Sequence, residues 1–129
     1  MAKKKLPRPT NAELEILSVL WTRGASTVRE IHESLNSSKP TLYTTVLKFL
    51  QIMTEKGLVR RDDTERAHVY VARLAQEQTQ RQILSDLADK AFGGSAAKLV
   101  MQALSAKKTS KEELAGIRKM LDELEDKAR

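Results

Sequence analysis

The order of elements along this chain predicts a mainly α-helical protein with one small β-hairpin. Three short helical segments come first, β-branched and aromatic residues within residues 58–74 indicate a hairpin, and the remainder reads as helical. Three short helices followed by a hairpin are typical of a winged helix-turn-helix domain, in which the hairpin is the wing. We therefore expect a basic flexible arm, a winged helix-turn-helix domain and a helical dimerisation region, over residues 1–9, 10–73 and 74–129.

The composition fits a soluble globular protein and excludes several kinds of site. Of the 129 residues, 40% are hydrophobic and 31% are charged, which is too apolar for a disordered chain. The lack of cysteine excludes disulfides, thiolate metal sites and a cysteine nucleophile. No apolar run approaches the ~18 residues of a membrane span, and the basic N-terminus lacks the apolar segment of a secretory signal. The expected location is the cytoplasm.

The positive charge is concentrated in the first part of the chain. Residues 1–73 contain 13 Lys and Arg against 8 Asp and Glu, whereas residues 74–129 contain 10 against 9. A polyanion such as nucleic acid would be attracted to the first part.

Capping patterns place the starts of three helices. In each, a Ser or Thr precedes a Glu by three residues, so each side chain can bond the backbone N–H of the other. These pairs are Thr10 with Glu13, Thr27 with Glu30, and Ser110 with Glu113. Apolar residues follow at helical spacing, namely Leu14, Leu17, Leu20 and Trp21 in the first helix and Val28, Ile31 and Leu35 in the second.

The third helix has two contrasting faces. It is expected to start near Pro40, whose missing N–H costs nothing in a first turn, and to end at about Glu55. The face that should pack on the first two helices carries Leu42, Val46, Phe49, Leu50 and Met53. The opposite face carries Thr44, Lys48 and Gln51, flanked by Thr41, Tyr43, Thr45 and Leu47.

The polar face of the third helix and the wing are the candidate DNA contacts. A helix roughly 10–12 Å wide fits a major groove about 12 Å across, and hydroxyl, amide and ammonium groups bond phosphates or base edges. Arginines at a wing tip can lie along the backbone or in a minor groove. Both groups of residues also have a plainer explanation. The residues of the third helix could be helix caps or solvated charge, and the arginines could pair with Asp62, Asp63 and Glu65. The candidate contacts are Thr41, Tyr43, Thr44, Thr45, Lys48, Arg60, Arg61 and Arg66.

The last helix favours self-association. Leu114, Ile117, Leu121 and Leu124 recur at spacings of three and four residues, which makes a heptad seam about two repeats long. This helix could instead lie on its own domain, but the first part of the chain already forms a closed unit. We prefer a dimerisation role, because an uncovered seam would be an exposed apolar patch.

The sequence contains no recognisable catalytic or metal-binding pattern. His32 and His68 are the only histidines, and a structural zinc site takes four ligands, often cysteines. We expect surface or packing roles for both, no cofactor and no enzymatic activity.

Three sequence blocks resemble the penicillinase-repressor family of winged-helix regulators. The blocks are NAELEILSVLWTRGASTVREIHESL, YTTVLKFLQIMTEKGLVRRDDTERAHVYVA and AFGGSAAKLVMQAL, in the order and spacing of the family. The resemblance implies a homodimeric bacterial repressor that binds two half-sites of a dyad-symmetric operator. It implies a recognition helix over residues 41–53, with Thr44, Thr45 and Lys48 nearest the bases, and a wing over residues 61–68. Half-sites would lie about one helical turn of DNA (~34–36 Å) apart, or a multiple of it.

The release signal is where the sequence departs from particular members of that family. Copper-responsive relatives carry a C-terminal cysteine cluster, which this chain lacks. Antibiotic-resistance relatives are inactivated when a membrane sensor triggers cleavage, at an Asn-Phe pair in the best-known cases. The corresponding pair here is Gln102-Ala103. A sensor or protease that uses a different site stays open as a partner.

Two other functions are compatible with the same residues. A winged helix can serve as a protein-interaction module without specific DNA readout, since fold does not fix function. A transcriptional activator would use the same contacts as a repressor. Lys48, the threonine face of the third helix and the basic N-terminal arm favour DNA over the interaction module.

Overall fold

The computed structural model describes residues 7–64 and 66–128. Six residues of the predicted basic arm, and Glu65 of the predicted wing, lie outside this part. The elements are α1 (Asn11–Arg23), β1 (Ser26–Thr27), α2 (Val28–Ser38), α3 (Tyr43–Lys56), β2 (Val59–Asp62), β3 (Val69–Ala72), α4 (Gln76–Ala91), α5 (Ala96–Ala106) and α6 (Lys111–Ala128). The expected mainly helical fold with a small hairpin is confirmed, and one short strand is added.

The chain divides into two compact units. Of the described residues, 7–84 belong to the first unit and 85–128 to the second. The division falls inside α4, whereas the expected domain boundary lies just before that helix.

The buried apolar side chains of the described residues all lie in the first unit. They are Ile16, Leu17, Leu20, Ile31, Val46, Leu50, Met53, Leu58, Val59 and Tyr70. Fully burying one such side chain contributes about 1.5–3 kcal/mol. This core joins α1, α2 and α3 to the hairpin, and it leaves the face of α3 that points away from the core exposed.

The buried stripe of α1 is rotated from the predicted one. Leu17 and Leu20 are buried as expected, but Ile16, which the prediction omitted, is buried with them, and Leu14 is only partly buried. Trp21 is also partly buried and packs against the core. Its indole N–H donates to the carbonyl of Leu74 at 3.0 Å, which ties α1 to the segment after β3.

All three predicted capping boxes are present. Thr10 and Glu13 exchange bonds at 2.9 and 3.3 Å, and Thr27 and Glu30 do so at 2.9 and 3.1 Å. Ser110 and Glu113 exchange two bonds at 3.0 Å. Each pair satisfies two backbone N–H groups that have no partner within the helix.

The start of α3 differs from the prediction. The helix begins at Tyr43 rather than near Pro40, and Leu42 is its extended N-cap residue. Leu42 is 71% exposed and does not face the core, whereas Val46, Leu50 and Met53 do. Two side chains of α2 bond the backbone of Thr41, just before this start.

The wing belongs to a three-stranded antiparallel sheet with the order β1-β3-β2. Ser26 pairs with Tyr70 and Thr27 with Val69. Thr27 is also the extended N-cap of α2, so the same backbone serves as helix cap and edge strand. A strand of two residues is too short to show alternation in sequence, which is why the prediction missed it.

The turn from α3 into β2 depends on a glycine. Gly57 has φ +82, in the left-handed region that side chains disfavour, and its N–H bonds the carbonyls of the last helical turn. The next residue, Leu58, is buried, so this turn returns the chain directly to the core.

Candidate nucleic-acid interface

The exposed face of α3 carries a polar stripe. Thr44, Lys48 and Gln51 lie at spacings of four and three residues and are all exposed. Thr45 is exposed beside them, and Leu47 is partly buried. The core of the domain therefore holds the helix from one side, while the polar stripe stays accessible from the other.

The backbone that leads into α3 is held by two side chains of α2. Oδ1 of Asn36 accepts the N–H of Thr41 at 2.9 Å, and Nε2 of His32 lies 2.7 Å from the carbonyl oxygen of Thr41. The rings of His32 and Tyr43 meet edge to face, 5.7 Å apart. Tyr43, the first residue of the helix, is 46% exposed.

The N-terminus of α3 has no side-chain cap, because Leu42 cannot supply one. By contrast, α1, α2 and α5 are capped by Thr10, Thr27 and Ser95. The first-turn N–H groups of α3 therefore have no intrahelical or capping partner.

The wing places its arginines in different electrostatic settings. Arg61 pairs with Asp63 at 2.8 Å between Nε and Oδ1, and Nδ1 of His68 lies 2.6 Å from the same carboxylate oxygen. Arg60 and Arg66 are exposed. Arg61 is therefore partly neutralised, as the plainer explanation of the wing arginines anticipated.

The turn at the start of the wing is tied by Asp62. Its Oδ1 accepts the backbone N–H of Thr64 at 3.0 Å and the hydroxyl at 2.7 Å. The backbone bond from Thr64 is the main cause that lowers the pKa of Asp62, so this carboxylate is charged at neutral pH.

An open cleft of about 700 Å³ lies between α3 and the sheet. It is lined by Gln51, Thr54, Glu55, Val59, Arg60, Arg61, Asp63, Tyr70 and Arg73. Arg73 was not among the predicted site residues, because it lies beyond the wing, at the far end of β3. The cleft thus brings one end of the polar stripe of α3 next to two of the predicted wing arginines.

A partly buried ion pair anchors the C-terminal end of α3. Nζ of Lys56 donates to Oε1 of Glu13 at 2.6 Å and to the carbonyl of Arg8 at 3.1 Å. Burial alone would raise the pKa of Glu13, but the bonds from Lys56 and Thr10 outweigh it and hold the pKa below its ordinary value. Lys56 thus links the end of α3 to the start of α1.

Other kinds of site have little support within the described residues. No group of three or more potential ligands among His, Cys, Asp and Glu comes together there. No helix in this part is both long enough and apolar enough to span a bilayer.

The fold and this surface define a winged helix-turn-helix protein. Two solved structures share that fold. One is the solution structure of the Bacillus licheniformis BlaI monomeric form in complex with the blaP half-operator, with a TM-score of 0.51 and 24% identity, over 58% of this chain and 92% of that one. The other is the DNA-binding domain of the repressor BlaI, with a TM-score of 0.50, over 57% and 90%.

This chain belongs to the penicillinase repressor family, whose model matches residues 9–123. It is 39% identical over 67 residues to the transcriptional regulator BlaI of two strains of Mycobacterium tuberculosis, CDC 1551 / Oshkosh and ATCC 25618 / H37Rv. The match covers 51% of this chain and 49% of each relative, so the chain spans about half the length of the curated relatives it matches. The family resemblance found in the sequence is confirmed.

Proposed function

We propose that this protein is a sequence-specific DNA-binding transcriptional repressor that acts as a homodimer on a dyad-symmetric operator. The observation that carries the proposal is the exposed polar stripe of α3, held from behind by the core and flanked by the arginines of the wing. Membership of the penicillinase repressor family supports it, as does the fold shared with a protein solved on a half-operator.

In this proposal, α3 enters the major groove by its N-terminal half. Thr44 and Lys48 face base edges, because their side chains are exposed on the helix face opposite the core, and Thr45 reaches the bases from its exposed position beside them. Thr41 and Tyr43 lie at the edge of the groove, where the hydroxyl of Tyr43 can bond a phosphate oxygen. The hydroxyl of Thr41 donates to the carbonyl of Lys39 at 2.7 Å and must leave it to bond a phosphate. The uncapped first turn of α3 supplies further N–H donors for a phosphate.

The wing contributes contacts that position the domain on the duplex. Arg66 is exposed in the loop between β2 and β3, and Arg60 is exposed on β2. We assign both to the DNA backbone or the minor groove. Arg61 contributes less, because its pair with Asp63 already offsets part of its charge.

The homodimer is proposed from the second unit. Leu121 and Leu124 are 51% and 52% exposed, and Leu114 and Ile117 beside them are only partly buried. Within the described residues of this unit, no side chain of α5 or α6 is buried. A second copy packed along the seam of α6 would cover these side chains and hold two winged helices together.

Release is proposed to involve a sensor or protease. The Gln102-Ala103 peptide bond lies within α5, where both residues are exposed. Cleavage there requires local opening of the helix, because a helical backbone is hydrogen-bonded. As a bacterial repressor acts on the chromosome, the proposed location is the cytoplasm, and the proposed role is non-enzymatic.

Titration of the full chain with duplex DNA tests this function. The binding site would first be selected from genomic DNA fragments that the protein retains. The affinity for this site is then compared with the affinity for a scrambled duplex, at about 50 and 200 mM salt. We expect preference for a dyad-symmetric site and a steep loss of affinity with salt. Binding that ignores both sequence and salt would favour the alternative, a winged-helix protein-interaction module.

A further inference from the structure

The turn between α2 and α3 contains a side-chain arrangement that the proposed DNA contacts do not use. Both backbone polar groups of Thr41 are engaged by α2, the N–H by Asn36 at 2.9 Å and the carbonyl by His32 at 2.7 Å. Because a carbonyl oxygen only accepts, Nε2 of His32 must carry a proton and donate. This bond fixes the tautomer of His32 when the ring is neutral.

We propose that His32 and Asn36 form a clamp on Thr41 that sets the start of α3 for DNA binding. They act as positioning residues, with no contact of their own to DNA. The inference rests on the proposed function, since it assigns these two side chains a role in presenting Thr41, Tyr43 and Thr44 to a duplex.

Among the described residues, no other side chain bonds the backbone of Thr41. Leu42 gives α3 no capping bond and is 71% exposed, so it neither caps the helix nor anchors the turn in the core. Pro40 is also exposed. The hydroxyl of Thr41 bonds only the nearby carbonyl of Lys39, at 2.7 Å. The clamp therefore supplies the side-chain bonds that hold the backbone of Thr41 against α2.

The clamp extends to the first side chain of α3. The ring of His32 meets the ring of Tyr43 edge to face at 5.7 Å, with an angle of 77° between the planes. One imidazole therefore holds the backbone of Thr41 and limits the directions open to Tyr43. Without it, binding would have to order both groups, and the ordering would lower the affinity.

The test compares the variants His32→Ala, Asn36→Ala and the double variant in the DNA titration. A hydrogen bond has a net worth of about 0.5–1.5 kcal/mol, which corresponds to a loss of roughly two- to ten-fold in affinity for each single change. Because both side chains hold the same residue, the double variant should lose less affinity than the product of the two single-variant fold losses. His32→Gln, whose amide can still donate, should recover part of the affinity.

A matched control lies on the same helix end. Ser37→Ala removes an exposed hydroxyl that bonds the carbonyl of Ser34 at 2.7 Å, and leaves the Thr41 contacts in place. It should bind DNA like the unaltered chain. An equal loss with Ser37→Ala would overturn the clamp, because the effect would then belong to any weakening of α2.

A measurement on the unaltered protein is independent of DNA and of the folding of the variants. Nitrogen NMR of the His32 ring should show the neutral tautomer protonated at Nε2, and the Thr41 amide should exchange slowly with solvent. A ring protonated at Nδ1, or variants that bind as the unaltered chain does, would overturn the clamp. If the unaltered chain ignores duplex DNA altogether, it is the proposed function that fails.

Discussion

Thr79 carries a buried hydroxyl without a partner. The residue is 1% exposed, and its Oγ1 forms no hydrogen bond within the described structure. Burying an unsatisfied polar group costs about 1–3 kcal/mol, whereas an apolar group of the same shape carries no such cost. Valine has nearly the shape of threonine, so this position is a source of instability that one substitution can remove.

We therefore expect Thr79→Val to raise the melting temperature, by roughly 4–8 °C for each kcal/mol gained in a domain of this size. The control is Thr54→Val on α3, where the hydroxyl donates to the carbonyl of Leu50 at 2.7 Å. The same substitution there should leave the melting temperature unchanged or lower it. A fall with Thr79→Val would mean that its hydroxyl has a partner in solution.

Glu13 gives the stability of the first unit a defined dependence on pH. Its side chain is 3% exposed and pairs with Lys56 at 2.6 Å. The folded-state pKa lies below the ordinary value, so the carboxylate stabilises the fold above the ordinary pKa of about 4.3. That stabilisation is lost as the pH falls through the lowered folded-state pKa.

Glu13→Gln should lower the melting temperature near neutral pH and have less effect well below pH ~4. The expected loss at neutral pH is on the order of 1–3 kcal/mol, because the partly buried ammonium group of Lys56 loses its charged partner. Glu15→Gln is the control, since Glu15 is exposed on the same helix. Equal losses at both pH values would contradict a role for the charge.

At the scale of the element, the core face of α3 was predictable from Val46 onward, whereas its start and the exposed position of Leu42 were not. The period of its apolar residues gives Val46, Leu50 and Met53 as buried, because that pattern is local. Just before its first residue, the carbonyl of Thr41 bonds His32, nine positions earlier, and no local pattern reveals that contact. The capping boxes were predictable for the opposite reason, since both partners lie within one turn.

The same distinction applies to the sheet and the cleft. Residues 58–74 indicate β2 and β3 through their own β-branched and aromatic residues, whereas β1 exists only because Thr27 meets Val69 across the fold. Arg73 lines the same cleft as Gln51, which lies far from it in sequence. Contacts between distant segments are the part of the candidate site that sequence could not supply.

A substitution of Lys48 tests the assignment of α3 as the recognition helix. Lys48→Ala should weaken duplex binding and lower the salt slope by about one, because one cationic contact is removed. The melting temperature should stay within about 1 °C, as Lys48 is exposed and lies outside the core. Lys90→Ala removes the same charge from α4 and should bind as before. Equal affinities for both variants and the unaltered chain would remove Lys48 from the contact surface.

At the scale of the whole molecule, the seam of α6 carries the proposed dimer. Leu121→Asp should convert the protein to a monomer in light scattering at micromolar concentration, because a carboxylate buried between two helices is costly. Operator affinity should fall with it, since the two half-sites would be bound separately. Ala115→Asp, on an exposed position outside the seam, should remain dimeric. A dimer that survives Leu121→Asp would place the interface elsewhere.

The core of the described protein ends early in the chain. Its buried apolar side chains all lie between Ile16 and Tyr70, and α5 and α6 add none. Substitutions in those last two helices should therefore leave the folding of the first unit largely untouched. The sequence of α5 and α6 can therefore change with little effect on the packing that holds α3 in place.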